Sequence, residues 1–267
     1  MFTGIYDERL FPIGLGTYGL VGVQAGPLSS GDKHLEAVKY AISSGINVID
    51  TAEMYGEGRT EELVGRAISS FRRDDIFIIS KVWPSNLERK KLFSSAEASL
   101  KRLGTNYIDL YLIHWPSQTV PLDESINAML ELRDRGVIRE IGVSNFDNGL
   151  LDQALDYAGR GKIVANEIEL NFSNFARSRE TLEHCRSKGV RVIAYSPLSR
   201  GRISHNSGVQ QIAQKYGATS VQVILRFLME FSLPIPKSSN PEHIDEIVGA
   251  ARVPLTEEVV DLLTHKF

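Results

Sequence analysis

The chain has 267 residues, of which 42% are hydrophobic and 24% charged; that is ample for one sizeable core, and barrels of about 250 residues routinely form a single domain. A formal net charge of −3 gives no basic footprint for nucleic acid, no apolar run approaches the roughly 18 residues of a membrane span, and the acid-bearing start MFTGIYDERLFP lacks the apolar segment of a signal peptide. The one cysteine, Cys185, excludes an internal disulfide and fits a reducing cytoplasm.

In chain order, residues 4–14 (GIYDERLFPIG) place a charged turn between short apolar groups and predict a hairpin. Eight β-branched apolar runs are then legible: IGLGT (13–17), NVIDT (47–51), IFIISKV (76–82), YIDLYLIHW (107–115), IREIGVSN (138–145), IVANEIEL (163–170), RVIAYSPL (191–198) and LPIPKS (233–238). Most start about 25 to 35 residues after the one before. Amphipathic helical stretches lie between them, among them Lys33–Ser44, Arg59–Ser70, Leu87–Leu103, Asp123–Arg135 and Ser178–Lys188. Thr219–Glu230 opens on a Thr cap and has a wide apolar face, and residues 256–267 form a last helix. Cys185, within ETLEHCRSKG, reads as a packed helix residue.

Eight alternations of β and α predict an α/β fold, a parallel eight-stranded (β/α)8 TIM barrel in one domain spanning residues 1–267, with the leading hairpin closing its bottom. A doubly wound open sheet is the competitor. It needs a glycine-rich turn opening a helix, whereas Gly14–Gly19 (GLGTYG) is followed by Gly22 and Pro27 and reads as strand plus loop.

In such barrels chemistry sits at the C-terminal ends of the strands. Those ends here carry Asp50, Lys81, His114, Ser144 with Asn145, Asn166 with Glu167, Tyr195 with Ser196, and Lys237 with Ser238; Tyr55 lies on the loop after Asp50. Taken singly, each reads as a cap, a solvated cation or a hydrogen-bonded core residue. Together they suit one task, proton donation to a forming alkoxide. Tyr55 is the acid, Lys81 the cation that stabilises its phenolate, Asp50 the counter-ion that keeps Lys81 charged, and His114 a neutral N–H that orients a carbonyl oxygen. No cysteine or second histidine is grouped with these for zinc, so no metal is expected. No Gly-x-Ser-x-Gly elbow appears, which argues against acyl transfer.

The segments VIDTAEMYGEGRTEELVGRAI, IISKVWP, LKRLGTNYIDLYLIHWP, IREIGVSNF, VIAYSPLSRG and LPIPKSSNPEHIDE resemble the aldo-keto reductases in order and spacing, from about Pro12 to Ile247. The resemblance implies a (β/α)8 barrel and NADPH-dependent reduction of aldehydes or ketones to alcohols. It also implies Tyr55 as acid, Asp50 and Lys81 as its tuning pair and His114 as the orienting residue. For the cofactor it implies Ser144 and Asn145 on the nicotinamide carboxamide and Tyr195 stacked on the ring. Ser196, Pro197, Leu198 and Ser199 run beside the pyrophosphate. Lys237 and Ser238 meet the 2′-phosphate, and Ser239 stands where a helix opens from Pro241 toward a phosphate. Glu246 faces the adenine amino group.

Two positions depart from the family pattern. Glu167 stands where glutamine is usual; an ionised carboxylate there favours the oxidised cofactor over the reduced one. His243 stands where arginine is common, and histidine lacks the bidentate fork and is only partly charged near neutrality. A weaker preference for NADPH over NADH follows, weaker still as pH rises. Tyr18, Trp83 and Trp115 are candidate walls of a substrate pocket, with Trp115 able to point outward by strand alternation. The family's C-terminal tail is absent, which suits small or moderately sized aldehydes and ketones rather than steroids. A cofactor-binding regulatory subunit of a membrane protein is the rival from another class, and an alcohol or sugar dehydrogenase is the same machinery run in reverse. A monomer is the family expectation.

Overall fold

The computed structural model describes residues 4–21, 31–199, 201 and 206–265. The loop with Gly22 and Pro27 and the last two residues of the predicted final helix lie outside these. Eight strands form one parallel sheet in sequence order: β1 Leu15–Gly16, β2 Val48–Asp50, β3 Phe77–Val82, β4 Ile108–Ile113, β5 Ile138–Ser144, β6 Ile163–Glu169, β7 Arg191–Tyr195 and β8 Leu233–Pro234. The helices that alternate with them are α1 Gly31–Ser43, α2 Arg59–Ile68, α3 Arg89–Leu103, α4 Leu122–Asp134, α5 Asn148–Ala158, α6 Phe175–Lys188, α7 Ser207–Lys215, α8 Ser220–Met229, α9 Pro241–Ala250 and α10 Glu257–His265. The expected barrel is therefore the observed one. Two single 3₁₀ turns, Arg73–Asp75 and Pro84–Asn86, precede β3 and α3, and the second explains why α3 starts two residues later than Leu87. The Thr219 cap is a full capping box with Gln222.

The ring closes between its two shortest strands. Gly14 N donates to Pro234 O at 2.9 Å and Gly16 N to Pro236 O at 3.0 Å. Proline has no N–H to give back, so the ladder there stays short, and β1 and β8 are briefer than their apolar runs. A Cβ at Gly16 would meet Ile235 O at 2.7 Å; only glycine allows this closure.

Two apolar layers form around the sheet. The outer one lies between strands and helices. The inner one fills the lumen with Val48, Phe77, Ile79, Leu110, Leu112, Ala165, Ile193, Leu233 and Ile235, together with Ile5 and Leu10 from the leader. That leader is a correction to the predicted hairpin. It makes two successive turns, Asp7 N to Gly4 O at 3.1 Å and Leu10 N to Asp7 O at 3.0 Å, and it has no strand. It is held by side chains of the barrel floor instead: Ile5 N donates to Glu140 Oε2 at 2.7 Å, and Arg191 donates to Ile5 O. The expected closure of the bottom stands, because Ile5 is fully buried there. None of the described helices is long and apolar enough to cross a membrane.

Candidate active site

Strand alternation decides what enters the lumen. The inward positions of β3 run Phe77, Ile79, Lys81; those of β4 run Leu110, Leu112 and then His114; those of β2, β6 and β7 run Val48 to Asp50, Ala165 to Glu167 and Ile193 to Tyr195. Each series is apolar at the bottom and polar at the mouth. Asp50, Lys81, His114 and Glu167 are all buried at that upper end.

Lys81 is the hub. Its ammonium donates to Asp50 Oδ2 on the neighbouring strand, to Thr51 O at 3.1 Å and to Tyr55 OH at 3.5 Å. Glu167 Oε2, on β6 across the lumen, lies 3.3 Å from Nζ. That is within ion-pairing reach but outside the hydrogen-bonding angle, so Oε2 is buried without a hydrogen-bond partner among the described residues. One ammonium thus serves two carboxyls.

Burial alone would strip the charge from Lys81, but the attraction of Asp50 and then Glu167 outweighs it and holds the pKa above the usual lysine range. Burial pushes Glu167 well above the usual carboxylate range, and the charge of Asp50 adds to it. Burial raises Asp50 as well, with Lys81 pulling it back. Burial likewise pushes the Tyr55 phenol up against the opposing pull of Lys81. Burial and the Lys81 charge lower His114 to about 3, so its ring is neutral near pH 7.

Tyr55 reaches this cluster on a loop of unusual backbone. Gly56, Glu57 and Gly58 all have positive φ, at 57°, 59° and 86°. A Cβ at Gly56 would meet Val21 O at 2.9 Å and one at Gly58 would meet Arg102 Cδ at 2.6 Å, so glycine is needed at both for the chain to double back into α2. Three edge-on ring contacts link the phenol and imidazole to two flanking rings: Tyr18 on Tyr55 at 5.1 Å, Tyr55 on His114 at 5.7 Å, and Trp83 on His114 at 5.2 Å between centroids. Tyr18 and Trp83 therefore border the cluster. Trp115 is out of phase with His114 and 43% exposed, so the structure leaves it outside this group.

Glu53 is a residue the sequence reading missed: its Oε1 accepts from Trp83 N at 2.7 Å and Asn86 Nδ2 at 2.9 Å, fixing the loop that carries Trp83. The direction of Glu167 toward Lys81 was missed too, although its phase with Ala165 was a usable signal.

The proposed cofactor residues line the other side of the mouth. Ser144 Oγ donates to Glu167 O at 3.0 Å. Asn145, in a left-handed conformation with φ 62°, donates from Nδ2 to His114 O at 3.1 Å and Ser144 Oγ at 2.9 Å. Tyr195 OH donates to Asn145 Oδ1 at 2.9 Å. Beyond Tyr195, Ser196 and Ser199 have positive φ, 52° and 48°, with Pro197 buried and Leu198 half-buried between them. Ser199 Oγ is buried without a partner among the described residues. Lys237 is exposed, while the neighbouring Ser238 Oγ accepts from Asn240 N at 3.1 Å. Ser239 precedes α9, which opens with Asn240 as cap and Pro241 in its first turn. His243 is exposed on that helix and Glu246 half-buried. An unpartnered buried hydroxyl at Ser199, and a cation beside a helix N-terminus, fit the phosphate groups of a nicotinamide dinucleotide with a 2′-phosphate.

The model of the Aldo/keto reductase family matches residues 12–266. Methylglyoxal reductase DkgB of Salmonella typhi is 36% identical over 236 residues, 86% of this chain and 83% of that protein. A thermostable aldo-keto reductase, Tm1743, solved with the inhibitor epalrestat, superposes with a TM-score of 0.89 at 43% identity, covering 96% of this chain and 94% of its own. An aldo/keto reductase from Klebsiella pneumoniae, solved with NADP and acetate, superposes at 0.88 with 32% identity over 97% and 92% of the two chains.

Proposed function

We infer, for a chain that belongs to the aldo/keto reductase family and reduces carbonyl groups to alcohols with NADPH, that Tyr55 gives the proton and that Lys81, Asp50 and His114 prepare it to do so. The observation that carries this reading is the convergence of phenol, ammonium and imidazole at one mouth, with Lys81 Nζ 3.5 Å from Tyr55 OH. NADPH, when bound, supplies the hydride for the carbonyl carbon. A positive charge beside the phenol oxygen stabilises the phenolate left once the proton has gone. Asp50 keeps that charge on Lys81 in a buried setting.

His114 is neutral, and its Nδ1 is buried without a partner among the described residues. An unpaired N–H costs more than an unpaired lone pair, so we assign the ring proton to Nε2, where it donates to the substrate oxygen. Ser144, Asn145 and the Tyr195 ring hold the nicotinamide end. Lys237, Ser238 and the α9 N-terminus hold the phosphate end.

The aromatic border of Tyr18 and Trp83 suits small aldehydes and ketones, including 2-oxoaldehydes of the kind named for the Salmonella relative. A cytoplasmic setting is the accompanying reading, supported by the single buried cysteine, and a monomer is what the family resemblance implies. The test is NADPH consumption with an aromatic aldehyde and with methylglyoxal, beside Tyr55→Phe. Turnover by wild type and its loss in a variant that still binds NADPH support the assignment. Binding without turnover in either protein would replace it with a regulatory cofactor-binding role.

A further inference from the structure

The lumen holds one more ionisable group than the proton transfer from Tyr55 needs. Asp50 alone balances Lys81, yet Glu167 stands at the same ammonium, buried, with Nζ 3.3 Å from Oε2. Asp50 reaches the same ammonium from the neighbouring strand. Two carboxyls gathered on one buried ammonium leave one of them without a counter-charge. The charge count agrees: Lys81 with one carboxylate is neutral, and with two it leaves a net negative charge away from water, which is costly. The groups facing Glu167 are Asp50 from β2, Tyr55 from the following loop, Lys81 from β3 and Tyr195 from β7. From β5, Ser144 contributes only a hydroxyl, to the Glu167 main-chain oxygen. His114 of β4 faces Lys81 and Tyr55.

We propose that Glu167 is a proton-storing positioning residue: facing Asp50 and Lys81 from across the barrel, it holds a proton while the reduced cofactor is bound and releases it to solvent when the cofactor is in its oxidised form. The step is a simple ionisation, carboxylic acid to carboxylate plus a proton in water. Glu167 keeps the proton beside a neutral ring because a second carboxylate would compete for the Lys81 charge that Tyr55 uses. It gives up the proton beside a positive ring because that ring replaces the missing counter-charge. The burial that raises Glu167 above the ordinary carboxylate range acts in the same sense. The inference rests on the reading of this mouth as the nicotinamide site.

The experiment is calorimetric titration of NADP and of NADPH into the whole protein near pH 7, in two buffers of different ionisation enthalpy. NADP binding releases about one proton more than NADPH binding does, and the ratio of NADP to NADPH affinity therefore rises about tenfold per pH unit, any contribution of His243 at the 2′-phosphate being common to both. Glu167→Gln shows the same proton balance with both cofactors and loses that slope; Glu167→Asp, which keeps a carboxyl, retains it. An infrared difference spectrum on adding NADP shows a protonated-carboxyl band lost from wild type and no such loss in Glu167→Gln. Equal proton release with NADP and NADPH in wild type overturns the inference, as does an extra proton with NADP that persists in Glu167→Gln, since that proton then comes from another group. Failure of wild type to bind NADP at all would instead overturn the nicotinamide-site reading, and this inference with it.

Discussion

At the closed end of the lumen, Ile5 from the leader packs among Val48, Phe77, Leu110 and Ile193; further along the same strands and in the same phase, Asp50, Lys81, His114 and Tyr195 stand at the mouth. Both ends also hold a carboxyl, half-buried at the floor and buried at the mouth. At the floor Glu140 accepts one backbone N–H, from Ile5, and burial together with the nearby Asp109 raises it to about 7, although the Ile5 hydrogen bond opposes the shift. At the mouth, Asp50 and Glu167 share an ammonium. One end is built for packing, with its carboxyl a cost that the fold carries. The other gives up apolar burial for charge placed where protons move.

This contrast can be broken or sharpened by substitution. The largest effect belongs to the mouth: Tyr55→Phe lowers kcat for NADPH-linked aldehyde reduction by roughly a thousandfold or more while NADPH affinity, followed by fluorescence titration, stays within about twofold. Lys81→Met follows, with kcat down by about a hundredfold or more. Denaturation should show a loss of about 3–5 kcal/mol in that variant, because Asp50 is left buried without its cation.

At the floor only stability is lost. Ile5→Ala costs about 2–4 kcal/mol in chemical denaturation, with kcat of the folded enzyme within about twofold of wild type. A large fall in its kcat at full folding would break the division between the two ends.

The floor carboxyl adds a pH test. Its pKa is raised in the folded state, so its stability contribution is complete below the ordinary carboxylate range and is lost as pH rises through about 7. The Glu140 share of the fall in stability between pH 4.5 and pH 8 is at most about 3 kcal/mol, beside the share from Glu167, and Glu140→Gln should remove it. An unchanged slope would place the titration elsewhere.

The smallest effects test the rim. Trp83→Ala raises KM for an aromatic aldehyde about tenfold at most, and Trp115→Ala raises it less, if alternation alone decides which ring meets the substrate. His243→Arg raises the NADPH-over-NADH preference by about three- to tenfold in paired KM measurements.

Much of this was readable in one dimension. Asp50, Lys81 and His114 each end an apolar run, and a strand of a (β/α)8 barrel carries its chemistry at that end. Tyr55 is marked by the glycines after it, since Gly56 and Gly58 signal a loop that must turn sharply. Other features were out of reach. The leader reads as a hairpin because a charged turn between apolar groups is common to both hairpins and plugs; its Ile5 finds the lumen rather than a partner strand, since Glu140 and Arg191 take its backbone groups. Glu53 reads as one more acid on a loop until the fold brings Trp83 and Asn86 to it.

Order, phase and chemistry of the strand ends were thus determined by the sequence alone, because alternation and apolar periodicity are local consequences of backbone geometry. What the tertiary structure decided is which inward residues meet. Lys81 and Asp50 lie on paired strands, but Lys81 and Glu167 come from β3 and β6, which are not neighbours in the sheet. Their contact exists only because the sheet curls until opposite walls of a narrow lumen touch, and that closure is a property of the whole ring rather than of any segment of it.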